Sequence, residues 1–444
     1  MKTTYNLLKL SSILLLLTTF SCWPDRLPKP PESVEPVTTK IPTTTYSKIS
    51  HVTFYIENSG SMFGYVNGPT EFVEVVNRLA QYPNLIRTET HFSYNLISGK
   101  RNPIGNEPQL QVYPIGNTPN ILRSTLTVNG LDKPSSSRSD LNEMFKIALG
   151  EAKSDSISIL ISDGIYDVGG STNPINALQT EVQSTTTNFI QRLQQDDVET
   201  LLIKLESKFD GWYHPANVKE PSGKSSYIDN KIRPYYIWIF GNSNLLKEYF
   251  PEERLVELNG YVDLARFRKI SKNDFPYECI GYNNFGFRKD FSKSKTFKLY
   301  HNVTNTTKFT IAVDFSNLNL SNSYLTSPGN YTCSRNYKVA EISAIGTLPI
   351  SDIETYTEML NFKPTHIITI VSRTSQTEIG DVSITLNNKL PNWINESNTD
   401  NDYPFDGTTT QTFGFNTLIR GIEDAYKEVS KTNSLAVFNI NIQN

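Results

Sequence analysis

Cysteine is scarce in this 444-residue chain, at three copies, which is too few for the disulfide framework of a small secreted scaffold. Its five histidines (His51, His91, His214, His301 and His366) are scattered without the spacing that gathers zinc ligands. Neither sign of charge dominates. A net charge of −3 leaves no basic surface for nucleic acid, so none is expected as a partner. No apolar run is long enough for a mature membrane span, the stretch around Ile13–Leu17 included. Phosphate-cradling and dinucleotide-binding glycine patterns are missing as well. The segment Gly60-Ser61-Met62-Phe63-Gly64 carries methionine where a nucleophile elbow needs serine. What is present is ordinary for a soluble globular protein, with 37% hydrophobic and 20% charged residues. Its length suggests two domains. The abundance of Tyr and Phe, 23 each, favours strand-rich architecture.

The N-terminus sets the expected compartment. Lys2 and Lys9 precede the apolar core, and Thr19-Phe20-Ser21 leads to Cys22, in the order of a secretory signal. The segment resembles a bacterial lipoprotein signal, in which the cysteine after the cut is acylated. That resemblance implies residues 1–21 as a signal peptide and Cys22 as a membrane anchor. It further implies a place in the cell envelope, on the outer membrane facing periplasm or surface. Thr19 and Phe20 depart from the usual lipoprotein pattern, and ordinary signal cleavage at the same bond is the alternative. Residues 22–47, rich in proline and threonine, read as an extended spacer. Cys279 and Cys333 would then be the remaining cysteines, either a disulfide in an oxidising compartment or two buried thiols.

From residue 48 to 256 the pattern is α/β. Val52–Ile56 and Ser156–Ile161 are compact apolar strands. Phe72, Val75, Val76 and Leu79 mark one helix at i, i+3, i+4, i+7 spacing. Leu141, Met144, Phe145 and Ala148 mark a second, capped by Asp140 with Glu143 three residues on. Pro174 opens a third, and strands follow at 199–205 and 234–240. This alternation predicts a mostly parallel sheet covered on both faces. Residues 209–232, rich in Gly, Pro, Ser and Lys, read as a surface loop. From 257 to 444 short strand candidates dominate, joined by one helix at Leu418–Val429 and a last strand at Leu435–Ile440, which predicts a β-rich, sandwich-like domain.

Oxygen side chains collect at the ends of these elements. Glu57-Asn58-Ser59-Gly60-Ser61 follows the first strand, Ser139-Asp140 precedes the second helix, and Ser162-Asp163-Gly164 follows the 156–161 strand. In an open parallel sheet, ligands gather at that edge. Carboxylates and hydroxyls converging there suit a hard cation such as Mg²⁺.

Residues 48–256 resemble the von Willebrand factor A family and its metal-ion-dependent adhesion site. Ser59 and Ser61 fall on the two serines of the family's Asp-x-Ser-x-Ser, Ser139 on its loop threonine, and Asp163 on its later aspartate. Glu57 stands where the family has aspartate and is one methylene longer. The resemblance implies Glu57, Ser59, Ser61, Ser139 and Asp163 as the shell of Mg²⁺, Mn²⁺ or Ca²⁺, with Asp140 supporting it or capping the helix. It implies a Rossmann-like fold and an open coordination position that accepts a carboxylate from a protein partner. Met62, Phe63 and Tyr65 would either rim that contact or pack in the loop. The expected function is therefore binding rather than catalysis. A metal-independent structural subunit of an envelope complex and, further behind, an extracytoplasmic hydrolase are the alternatives. Ser292 and Lys295 have the spacing of a penicillin-binding serine–lysine motif without its partners and read as chance. Asn302, Asn305 and Asn330 sit in glycosylation-like triplets that read as polar turns.

Overall fold

A computed structural model describes residues 47–444 apart from 83–88, 100–109, 133–138, 167–172, 217–224, 271–274, 301–305, 319, 350–353, 355, 359, 376 and 404–409. The expected signal segment, Cys22, the spacer up to Tyr46, His301, Asn302 and Asn305 lie outside the described residues.

Two strands with near-continuous apolar sequence form the centre of the first sheet. β1 (His51–Glu57) is buried from Val52 onward, and β4 (Ser156–Ser162) is buried throughout. β1 pairs in parallel with both β4 and β2 (His91–Gly99). The other members are β3 (Leu110–Gly116), β5 (Glu199–Tyr213), β6 (Ser226–Gly241) and β7 (Tyr261–Phe267), in the order β3-β2-β1-β4-β6-β5-β7. Each of these four joins its neighbours antiparallel. The expectation of a mostly parallel sheet thus holds only for the β2-β1-β4 centre. The reason lies in the connections: β5 and β6 follow one another as a hairpin, and a hairpin can only pair antiparallel.

Helices cover both faces, and β6 shows how the pleat divides them. Tyr235 and Tyr236 point to opposite sides. The Tyr235 ring packs 5.0 Å from Phe72 of α1 (Glu71–Ala80), while Tyr236 stacks 4.2 Å from Phe415 of the Phe415–Ser430 helix. α1 buries the predicted Phe72, Val75, Val76 and Leu79. α2 (Leu141–Glu151) starts as predicted, with the Asp140 side chain accepting from the Glu143 N–H. α3 (Pro174–Gln195) and α4 (Phe415–Ser430) share one apolar cluster with α2, β4 and β6. Among the described residues no helix is long and apolar enough to cross a membrane.

Residues 209–232 differ from the expected loop. β5 and β6 run on together through Tyr213 and Ser226, so both flanks of this stretch are a β-hairpin arm. The boundary expected at residue 256 also does not coincide with the packing. β7 completes the first sheet, and α4 closes its core.

The remaining strands form two further sheets. One is ordered β12-β15-β18-β10-β9, from Tyr331–Cys333, Gly380–Asn387, Ser434–Gln443, Thr296–Leu299 and Phe287–Lys289. The other is β13-β14-β11-β8, from Tyr337–Ala344, His366–Ser372, Lys308–Val313 and Tyr277–Phe285. Short β16 (Asn398–Thr399) and β17 (Thr412–Phe413) pair separately. Side chains from the two larger sheets share one core, as where Phe297 of β10 meets Phe309 of β11 at 5.1 Å. This is the β-rich, sandwich-like part. Cys279 and Cys333 lie on its opposing sheets as free thiols, each held above the ordinary thiol range by burial. Asn330 caps a turn on Tyr324, and Ser292 donates to Asp290, so both serve local backbone geometry.

Candidate functional site

Three chain segments reach one point at the rim of the first sheet. β1 delivers Glu57, and the Asn58 N–H continues the ladder to Ile97. The chain then turns through a 3₁₀ helix, Gly60–Tyr65, which keeps Ser59 and Ser61 side by side with hydroxyls 3.0 Å apart. Ser139 arrives on the approach to α2, and its hydroxyl donates to Glu57 Oε1. Asp163 follows β4, where Gly164 adopts φ +73, a left-handed conformation that glycine tolerates best. That turn lets the Ile165 N–H donate to Asp163 Oδ1 at 3.0 Å. Ser61 hydrogen-bonds the Asp163 carboxylate from the other side.

All five oxygen-bearing residues of the sequence reading therefore meet here, and each is less than 9% exposed. Asp140 stands behind them, accepting from Glu143 N–H and from the Tyr166 hydroxyl at 3.3 Å. Burial raises its carboxyl above the ordinary range.

The electrostatics follow from two carboxyls with little water. Desolvation and the charge of Asp163 push Glu57 up to about 8, against the pull of the Ser139, Ser162 and Ser59 hydroxyls. Burial raises Asp163 as well, opposed by Ser61, the Ile165 N–H, Arg233 and His214. Glu57 Oε2 is buried and makes no hydrogen bond of normal geometry. An acceptor left in that state carries a real desolvation cost. Two facing carboxyls and a ring of hydroxyls relieve it in one of two ways: they keep a proton, or they take a cation. The donor set is all oxygen, which fits a hard divalent ion. It is rich in hydroxyls. Among the described residues no group of three or more His, Cys, Asp or Glu side chains gathers to hold a metal.

Three residues near this point stand outside the five-residue shell of the sequence reading, which named Ser162 only at its strand end. Ser162, the last residue of β4, turns its hydroxyl to the Gly164 N–H at 2.9 Å and lies beside Glu57. Arg233, on β6, is 1% exposed, rests 4.3 Å over the Tyr213 ring, and lowers Asp163 through its charge. His214, on the hairpin arm, lies over the Gly60 turn, where a Cβ on Gly60 would come within 3.2 Å of its Nε2. Burial holds its imidazole below the ordinary range, although Asp163 works against this. His214 falls in the stretch that composition presents as a loop, and Arg233 borders it. Only the two-residue alternation of Phe209, Gly211 and Tyr213, all buried, could have exposed the arm.

The arm is secured from both ends of the chain. Tyr65 donates to the Pro234 carbonyl at 2.5 Å, and Asp402 accepts from the Tyr213 hydroxyl at 2.7 Å and the Ala216 N–H at 2.8 Å. Of the three expected rim residues, Met62 and Tyr65 are fully buried, and only Phe63 lines the neighbouring cavity. His51 and His91 begin adjacent strands, and His366 is bonded to Thr365 and Asn322, all away from the site. No protein-family model and no curated protein matches this chain.

Proposed function

We propose that this chain is a lipid-anchored, extracytoplasmic binding protein whose first part is a von Willebrand factor A-like domain. In this reading Glu57, Ser59, Ser61, Ser139 and Asp163 hold Mg²⁺, with Mn²⁺ or Ca²⁺ as substitutes. The observation that carries it is the meeting of these five oxygen-bearing side chains, from three distant segments, with two buried carboxyls among them and Glu57 Oε2 making no hydrogen bond of normal geometry. A bound cation would offset the repulsion of Glu57 and Asp163. With few carboxylates to neutralise it, it would keep attraction for one acidic group of a protein partner. The protein's own residues supply position: Ser139 orients Glu57, Ile165 orients Asp163, and the 3₁₀ turn fixes the serine pair.

Calorimetric titration of Mg²⁺ into EDTA-stripped protein tests the first half. Binding is expected in wild type and weakened roughly 100-fold or more in Asp163→Ala, since even residues behind a metal's ligands are worth 10–100-fold. Pull-down from envelope extracts with Mg²⁺ against EDTA tests the second half. Absence of any Mg²⁺ binding sinks the reading. One observation favours a second reading, a metal-independent structural subunit: Arg233 already places a buried positive charge on Asp163. Under that reading partner capture survives EDTA and is lost in Arg233→Met.

A further inference from the structure

The outer face of the hairpin arm carries a feature that the metal-site reading leaves unused. Trp212 and Tyr227 are cross-strand partners, and each is 52% exposed. Their rings meet edge to face at 5.4 Å and 81°, forming a two-walled corner. Phe63 and His214 line the same cavity, which holds about 540 Å³, together with Gly60 and Gly211. At its edge lies one carboxylate, Asp210. It accepts from the Tyr227 hydroxyl at 2.7 Å and from Asn67 Nδ2 at 3.1 Å. Those partners are neutral donors, so they orient Asp210 without discharging it. Asp229 adds a second negative charge acting on Tyr227.

Large aromatics left half in solvent and fixed at right angles lose contact area that burial would recover. The face of an aromatic ring carries the negative part of its quadrupole, so aromatic walls beside an oriented carboxylate attract a cation that lies over a ring face. A cation with weakly hydrated, apolar flanks satisfies both walls and carboxylate together. A neutral apolar guest would leave Asp210 without complement, and an anion would be repelled by it. We propose that Trp212, Tyr227, Phe63 and Asp210 form a binding site for a quaternary ammonium group. His214 does not oppose such a guest at neutral pH, because burial keeps its ring uncharged. Trp212, Tyr227 and Asp210 are not part of the oxygen cluster, although Phe63 lies on the turn that carries Ser61.

The indole N–H resonance of Trp212 in the full-length protein, identified by its loss in Trp212→Phe, gives a direct readout. Choline chloride is expected to shift it saturably. Dimethylbutanol, the uncharged carbon isostere of choline, is expected to bind about tenfold more weakly, as is choline to Asp210→Asn. The buried Trp238 and Trp393 report in the same spectrum that each variant is folded. Equal binding of choline and its isostere, undiminished binding to Asp210→Asn, or no shift with choline overturns the proposal. Phosphatidylcholine vesicles separate the sources of the group. Co-sedimentation lost in Trp212→Ala assigns the site to a lipid headgroup, and choline binding without that loss assigns it to a soluble ammonium. Mg²⁺ titration of the same samples reports on the oxygen cluster separately, so failure of one site is not mistaken for failure of the other.

Discussion

At the scale of single residues, Glu57 departs most from ordinary behaviour. Its carboxyl is raised from 4.5 to about 8, chiefly by burial and then by Asp163. The sign of the consequence is fixed by proton counting. Between these two values the folded protein holds a proton that the unfolded chain has released, so stability is fully present below about pH 4.5 and falls as pH rises to about 8. The slope is at most about 1.4 kcal/mol per pH unit for one group. In EDTA, the melting temperature should therefore drop between pH 5 and pH 8. Mg²⁺ should restore more of it at pH 8 than at pH 5, because the ion displaces the proton. Glu57→Gln, which still accepts from Ser139, should flatten the decline and remove the Mg²⁺ response. A variant whose melting temperature tracks wild type at every pH would mean that the proton resides elsewhere, on Asp163 in the first instance.

At the scale of elements, the site depends on how closely the Gly60–Tyr65 turn docks on the hairpin arm. A Cβ on Gly64 would lie 2.5 Å from the Phe209 ring, and one on Gly211 would lie 2.7 Å from the Gly64 Cα. Gly64→Ala should cost roughly 1–3 kcal/mol by overpacking. It should also weaken Mg²⁺ binding, because the displaced turn carries Ser61. Urea unfolding followed at two wavelengths, with Mg²⁺ titration of the variant, measures both, and unchanged stability would mean that the arm is not seated on the turn. The same contact shows where the sequence was readable. β1, β4, α1 and α2 were legible because burial on one face, or on both, writes itself as periodicity or as an apolar run. Glu57, Ser59, Ser61, Ser139 and Asp163 were legible because each stands at the end of such an element. The arm was not, because Gly211 offers no apolar side chain at a buried position, Trp212 places one on the outer face, and a bulge between Phe209 and Gly211 shifts its register. Arg233 and His214 were hidden with it. Strand direction was hidden for a different reason. An apolar run such as that at 234–240 reads the same in either orientation, and only the link to β5 determines that β6 runs antiparallel.

For the molecule as a whole, the change in sequence character near residue 256 does not mark where folding units part. The cluster beneath α2 and α3 draws on Ala265 and Phe267 of β7, on Trp393 and Ile394, on Phe413, and on Phe415, Leu418, Ile419 and Tyr426 of α4. A charge follows the same pattern. Glu199, at the start of β5, is wholly buried, and its ion-pair partner at 2.7 Å is Arg266 of β7. Stripping the partner from a buried pair typically costs about 3–5 kcal/mol, comparable with the whole stability of many domains. A fragment of residues 47–256 would lose Arg266 together with the helix that closes the core. It should therefore unfold without a cooperative transition and bind hydrophobic dyes, whereas residues 47–444 should melt as a unit that includes the sheet bearing the oxygen cluster. Calorimetry on both lengths decides the matter. A sharp transition in the shorter fragment would show that β7 and α4 are accessories, and the oxygen cluster could then be studied on the first part alone. Its failure to fold would mean that the β-rich half helps hold the site's scaffold, since the chain leaves the sandwich after β15, contributes α4 to the first core, and only then returns as β18.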